Sequence, residues 1–140
     1  MSLQAVLAPL FVQVVLTFAL LVWLAYQRVT LISSGVVKRT DIALREPNWP
    51  ARTLQLQNAI SNQFEVPVLF YALTILSIVT RHADLAFVIL AWVFVLLRII
   101  HASIHVTDND VRRRGLTFIA ATTVLMVMWI LFMLRILLGI

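Results

Sequence analysis

The sequence contains no cysteine and few charged residues. Without cysteine, the chain has no disulfide, no thiolate ligand for a metal and no cysteine nucleophile, so any thiol chemistry must use a thiol that arrives as substrate. Charged residues make up only 12 % and hydrophobic residues 62 % of the 140 residues, whereas a soluble domain carries about 25 % charged residues. A soluble fold this small could not bury so much apolar surface. The composition therefore predicts an integral membrane protein.

Four apolar runs are long enough to cross a bilayer, which takes about 20 residues of helix. They cover about 3–26, 53–79, 84–106 and 116–138. We therefore predict an all-α fold, an integral membrane four-helix bundle that forms a single domain over residues 1–140. No basic residue precedes the first run, and that run is too long for the apolar core of a signal peptide, so we do not expect a cleavable signal.

The positive charge, +5 overall, is concentrated in two of the three connections. Residues 33–52 and 107–115 hold seven Lys and Arg residues, whereas Arg81 and Arg135 lie toward the opposite side. By the positive-inside rule, the first and third loops face the cytoplasm and both termini face away from it. Because the basic residues flank apolar runs, contact with lipid headgroups accounts for them. We therefore expect membrane lipid as a partner and no nucleic acid.

Two spans carry polar residues at membrane depth, where they are costly and often functional. Both sets have the spacing three, four and three, which places each set on one stripe of a helix. They are Gln55, Asn58, Asn62 and Glu65 on the second span, and Arg98, His101, His105 and Asp108 on the third.

Glu65 and Arg98 are the deepest charged residues of the two stripes. Helix rise places Glu65 roughly 20 Å from Arg52, and Arg98 roughly 15 Å from Asp108, so their depths are comparable. An unpaired charge in hydrocarbon costs at least about 2.5–3.5 kcal/mol, so we expect these two residues to meet. Either they form a structural ion pair that fixes helix register, or they contact a ligand directly. Pro67 opens the turn near Glu65, because it cannot donate to the carbonyl of Gln63.

Two further clusters are open to more than one interpretation. His101 and His105 have metal-ligand spacing and could form a set with Glu65, but hydrogen bonding within the bundle explains both histidines and we expect no metal. Arg112, Arg113 and Arg114 are either headgroup anchors, or one of them holds an anionic ligand or stabilises a thiolate.

The polar stripes also carry a family resemblance. The segments NAISNQFEVPVLFY (58–71) and RIIHASIHVTDNDVRRRGLTF (98–118) resemble the MAPEG superfamily, the membrane-associated proteins of eicosanoid and glutathione metabolism, which include the microsomal glutathione transferases. The similarity covers most of the chain. Its more specific part is Asn-x-x-Glu followed by proline, at Asn62, Glu65 and Pro67.

The resemblance implies a homotrimer with sites between neighbouring subunits. Glutathione is the implied co-substrate, and its thiolate attacks a lipophilic electrophile or reduces a lipid hydroperoxide. Residue by residue, Asn62 and Glu65 match the family's Asn and Glu, and Arg98 matches the arginine of the third helix. Arg114 matches the catalytic, thiolate-stabilising arginine, a place that Arg113 takes with a different loop alignment.

The sequence departs from the family pattern at two ligand-binding positions. Asn58 replaces an arginine and His105 replaces a tyrosine. A lost arginine removes a charge-assisted contact worth about 1.5–3 kcal/mol. These departures favour an alternative, a non-enzymatic module that binds lipid or another hydrophobic ligand. A third hypothesis is a small proton-coupled exporter, which needs Glu65 to titrate, and a neighbouring Arg98 argues against that.

Overall fold

A computed structural model describes all 140 residues and contains only helices, turns and loops. Four segments are long and apolar enough to cross a membrane. The all-α prediction is confirmed, and four helices of this kind fit a multi-pass integral membrane protein. The helices are α1 (Leu3–Ser33), α2 (Ala51–Gln63), α3 (Val66–Val79), α4 (Leu85–Val106) and α5 (Val111–Leu138), with a 3₁₀ turn at Arg39–Asp41 in the first loop.

The second span is not one continuous helix, because it breaks between α2 and α3. Around the break the bonding tightens to three-residue spacing, from the N–H of Phe64 to the carbonyl of Ser61 and from the N–H of Glu65 to that of Asn62. Pro67 explains the break, since it has no N–H to donate to Gln63 and its ring crowds that carbonyl. The break reorients the residues that follow Asn62 relative to those that precede it.

The helix α4 lies at the centre of the bundle. Its buried face includes Ala91, Phe94 and Val95, which belong to the main apolar cluster with Phe70 of α3 and Leu125 of α5. Large apolar side chains such as Phe18 and Ile119 remain exposed on the outer faces. A surface of this kind suits lipid as solvent, because apolar side chains lose nothing by facing hydrocarbon.

The first and third loops lie at the same end of the bundle. There the side-chain Nε2 of Gln55, at the start of α2, donates to the carbonyl of Thr107 at a distance of 2.9 Å. Their common side agrees with the predicted topology, whereas their cytoplasmic orientation stays a prediction.

At the opposite end of the bundle, Asp84 and Arg135 form a salt bridge. One carboxylate oxygen of Asp84 caps α4 by accepting from the N–H of Phe87, and the other lies 2.7 Å from Nη2 of Arg135. Partial burial by itself raises the pKa of Asp84, but the hydrogen bonds from Arg135 and Phe87 and the charge of Arg135 outweigh it, so this pKa lies below its ordinary value. The ion pair therefore ties the start of α4 to the last turn of α5.

Candidate functional site

The side chain of Arg98 is fully buried and joins α4 to the end of α2. Its Nη2 donates to the backbone carbonyl of Asn62 at 3.2 Å and also to the side-chain oxygen of Asn62. A charge-assisted bond of this type is stronger than one between neutral groups. The structure thus brings together two predicted site residues, and it fixes the side-chain amide of Asn62 in one orientation.

The predicted ion pair between Glu65 and Arg98 is wrong. No nitrogen–oxygen distance between them falls within 4.0 Å, and the two salt bridges of the chain lie elsewhere. Instead, Nδ2 of Asn62 donates to Glu65 at 3.3 Å, so Asn62 lies between the acid and the base. The helix break explains the difference, because Glu65 follows it and is exposed, whereas Arg98 is fully buried.

His101 connects the polar face of α4 to the start of α5. Its Nδ1 lies 3.0 Å from the carbonyl oxygen of Arg114 and 3.3 Å from the hydroxyl oxygen of Thr117. A carbonyl only accepts, so Nδ1 carries the hydrogen and donates, which leaves Nε2 of a neutral imidazole as an acceptor. This contact sets the position of the first turn of α5 relative to Arg98.

His105 lies one helical turn beyond His101, with the ring centroids 5.7 Å apart. It is buried, as the stripe predicted. The metal alternative receives no support, because Glu65 does not join the two histidines and the structure contains no group of three or more His, Cys, Asp or Glu side chains with metal-binding geometry.

The three consecutive arginines have different surroundings. Arg112 is exposed. Arg113 is also exposed and lies 2.9 Å from the carboxylate of Asp108. Arg114 is half-buried, and its guanidinium donates to the side chain of Asn109. Of the two candidates for the thiolate-stabilising residue, Arg114 is the one whose backbone contacts His101 and whose side chain has no acidic partner.

Asn58 lies apart from this cluster. It is exposed and lines a cleft between α1, the first loop and α2, together with Arg28 and Trp49. The predicted stripe of α2 is therefore divided, because Asn62 contacts Arg98 whereas Asn58 lines the separate cleft.

Several buried polar atoms along α4 have no hydrogen-bond partner in the protein. They are Nε and Nη1 of Arg98, Nε2 of His101 and Nδ1 of His105. Buried polar atoms in folded proteins nearly always have a partner, which is water or a ligand where the protein supplies none. Two donors from one arginine and an imidazole acceptor one turn away are suited to a polar group that carries both acceptors and donors.

One further polar contact inside the membrane was not predicted from the sequence. Nε2 of Gln13 on α1 donates to Oε1 of Gln63 at 2.8 Å, and both side chains are buried. Gln63 lies outside the predicted stripe of α2, and Gln13 is one of three polar residues, with Gln4 and Thr17, that interrupt the first apolar run. Gln13 was the only signal that could have located this contact.

The polar chain, as we call these residues, thus runs from Glu65 through Asn62 to Arg98, and along α4 to His101, which contacts the backbone of Arg114.

Comparison with known proteins finds no match among curated proteins and none among solved structures. The model of one family, the MAPEG family, matches residues 6–134, which is nearly the whole chain. The expected resemblance is therefore confirmed, and the chain belongs to the MAPEG family.

Proposed function

We propose that the protein is a glutathione- or thiol-dependent transferase that also serves as a peroxidase, and that it acts on lipophilic electrophiles dissolved in the membrane. Family membership supports glutathione as the thiol. The proposal rests on two groups of polar contacts that neighbour each other on α4. Exposed Glu65 is bonded to Asn62 and Asn62 to buried Arg98, and His101, one turn further along α4, contacts the backbone of half-buried Arg114. As the resemblance implies, the site lies between subunits of a homotrimer.

Within this site, Glu65 and Asn62 are accessible to a thiol peptide, because Glu65 is exposed and Asn62 is half-buried. The carboxylate of Glu65 accepts from the ammonium group of the peptide. Arg98 is fully buried and acts as a positioning residue, since it holds the amide of Asn62 from behind. His101 holds Arg114 through its backbone carbonyl, and so fixes the cation relative to the bound peptide.

Arg114 is the proposed catalytic residue. Its guanidinium favours the thiolate over the thiol, and the thiolate is the nucleophilic form. The proton of the thiol passes to solvent, sulfur forms a bond to the electrophilic carbon, and a leaving group such as halide departs with its electron pair. With a hydroperoxide, sulfur takes the terminal oxygen and the alcohol is released. A second thiol then reduces the sulfenic acid, with formation of a disulfide and water.

The test compares Arg114→Ala with Arg112→Ala in detergent-purified protein. Both variants lose one arginine from the same segment, but Arg112 is exposed and lies outside the polar chain. We expect glutathione to give thiolate ultraviolet absorbance with the unmodified protein and with Arg112→Ala. Arg114→Ala should lower both this absorbance and the rate of aryl halide conjugation roughly ten- to a hundredfold, the equivalent of one charge-assisted contact. Equal activity in the two variants, or none in the unmodified protein, would refute the proposal.

A second candidate function is a non-enzymatic module that binds a hydrophobic ligand. Two residues that differ from the family's glutathione-binding pattern, Asn58 and His105, favour it. Asn58 supplies no cation and lies outside the polar chain, and His105 supplies no phenol. This candidate predicts that an acyl chain co-purifies with the protein and that glutathione has no measurable affinity for it. Isothermal titration with glutathione, before and after delipidation, separates the two candidates.

A further inference from the structure

A cleft opens between α1, the first loop and α2, and the proposed thiol site does not use it. Its volume is about 710 Å³, a size typical of sites for small organic molecules. Polar and aromatic side chains line one part of it, including Arg28, Trp49 and Gln57, and apolar side chains line the other. This space between α1, the first loop and α2 is the loop-1 cleft.

Arg28 is held in place in the loop-1 cleft without a counter-ion. Its Nη2 donates to Oε1 of Gln57 at 2.6 Å, and its guanidinium carbon lies 5.1 Å from the ring centroid of Trp49. The nearby Nε is shielded from solvent and has no partner. No carboxylate oxygen lies within 4.0 Å of this side chain. A partly buried cation in this state is stabilised by an anion that supplies charge and a hydrogen-bond acceptor.

The other charges at the loop-1 cleft leave it positive overall. Arg45 and Glu46 also line it. The carboxylate of Glu46 accepts from the N–H of Leu44 at 2.9 Å and makes no salt bridge with either arginine. With two cations and one anion, the cleft carries one net positive charge and therefore favours a ligand of net negative charge over a zwitterion.

The apolar part of the loop-1 cleft lies deeper in the membrane than the cation. Arg28 precedes the end of α1 at Ser33 by about 7–8 Å of helix, which is headgroup depth. Leu24 and Leu21 line the same cleft and lie about 6 Å and 10 Å further along α1 toward the membrane interior. Ile60 of α2 also lines the cleft and belongs to the same apolar cluster as Leu24. The order is thus a cation beside an aromatic ring at the interface, followed by aliphatic side chains.

We propose that the loop-1 cleft binds one membrane phospholipid with a net negative headgroup. Its phosphate accepts from the guanidinium of Arg28 next to Trp49, and an acyl chain lies along Leu24, Leu21 and Ile60. An arginine beside tryptophan at the interface suits an anionic lipid headgroup, and leucine side chains suit the chain below it. The bound lipid supplies the acceptor that Nε of Arg28 lacks within the protein.

The first test measures lipid retention by native mass spectrometry, after reconstitution with phosphatidylglycerol and phosphatidylcholine in equal amounts. We expect one phosphatidylglycerol per chain on the unmodified protein. Arg28→Gln should lower this retention about tenfold or more, the equivalent of one charge-assisted contact, and Arg28→Lys should restore part of it. Arg112→Gln is the matched control, because it removes one exposed arginine that does not line the cleft and should leave retention unchanged. Equal retention of the two lipids, or no effect of Arg28→Gln, would overturn the proposal.

The second test does not depend on loss of a charge. Because the chain has no cysteine, Ser61→Cys places a single thiol at the loop-1 cleft and Ser34→Cys places one on an exposed site outside it. We expect phosphatidylglycerol vesicles to slow maleimide labelling of Ser61→Cys relative to phosphatidylcholine vesicles, with no such difference for Ser34→Cys. If Ser61→Cys is protected equally in lipid-free detergent, a second copy of the chain covers the cleft and the lipid proposal is wrong.

Discussion

Arg98 and Asn62 are joined twice, because Nη2 of Arg98 donates to both the backbone carbonyl and the side-chain oxygen of Asn62. One guanidinium group therefore adds a hydrogen bond to a carbonyl near the end of α2, which also accepts from the N–H of Glu65, and it orients the amide that faces Glu65. The contact couples the fold to the candidate site, so substitutions on its two sides should have different effects.

Replacement of Asn62 by alanine should destabilise the protein by about 1–3 kcal/mol, because it removes a side-chain acceptor from a buried guanidinium. Asn58→Ala is the matched control. Asn58 is exposed, so its replacement should change stability by no more than about 0.5 kcal/mol. Denaturant unfolding in detergent measures both variants, and equal stabilities would contradict the role assigned to Asn62.

Replacement of Arg98 by methionine should separate stability from ligand binding. Methionine removes a buried charge whose Nε and Nη1 have no partner in the protein, and relief from that desolvation cost offsets the two hydrogen bonds lost to Asn62. The amide of Asn62 would, however, lose its anchor, so thiol affinity should fall. We expect an unfolding midpoint close to that of the unmodified protein and at least tenfold weaker glutathione binding, by titration calorimetry. A parallel loss of stability and affinity would indicate a purely structural arginine.

The ion pair between Asp84 and Arg135 predicts an acid-dependent loss of stability. The pKa of Asp84 is lowered on folding, so its contribution is fully present above the ordinary value of 3.8 and is lost as pH falls through the lower folded pKa. Asp84→Asn keeps a residue that caps α4 but removes the charge. At neutral pH this variant should be less stable by roughly 0.2–1 kcal/mol, since the pair is partly exposed. In thermal melts the difference between the two proteins should shrink as pH falls below 3.8, and a constant difference at all pH values would count against the pairing.

The buried contact between Gln13 and Gln63 should contribute to helix association within the membrane. Interhelical hydrogen bonds in this environment are worth about 0.6 kcal/mol on average and up to about 1.7 kcal/mol. A double-mutant cycle with Gln13→Leu and Gln63→Leu measures the coupling. Each single variant should be destabilised because it leaves one amide unpaired, whereas the double variant should recover much of the loss. Strictly additive effects would show that the two amides are not coupled.

Part of the candidate site could be predicted from residue spacing. The spacing of Arg98, His101 and His105 predicted one shared face of a helix, and all three side chains are buried in the bundle. Spacing failed for Glu65, because it states which residues share a face of a continuous helix, and the second span breaks before Glu65. Asn58 lies in the same helix as Asn62, but it is exposed and lines the loop-1 cleft. Once Pro67 interrupts the second span, Glu65 no longer follows the stripe, and Asn62 takes the place expected for the acid.

The sequence by itself determined the membrane environment, the four spans and the family, because hydrocarbon admits few alternatives to long apolar helices and the motif around Asn62 lies within the residues that the family model matches. Only the tertiary structure decided which polar groups meet. It places Asn62 between Arg98 and Glu65, and it joins Gln13 to Gln63. The physical reason is that helical periodicity fixes the face on which a side chain lies. The rotation and tilt of one helix against another, which bring two faces together, depend on packing between segments distant in sequence.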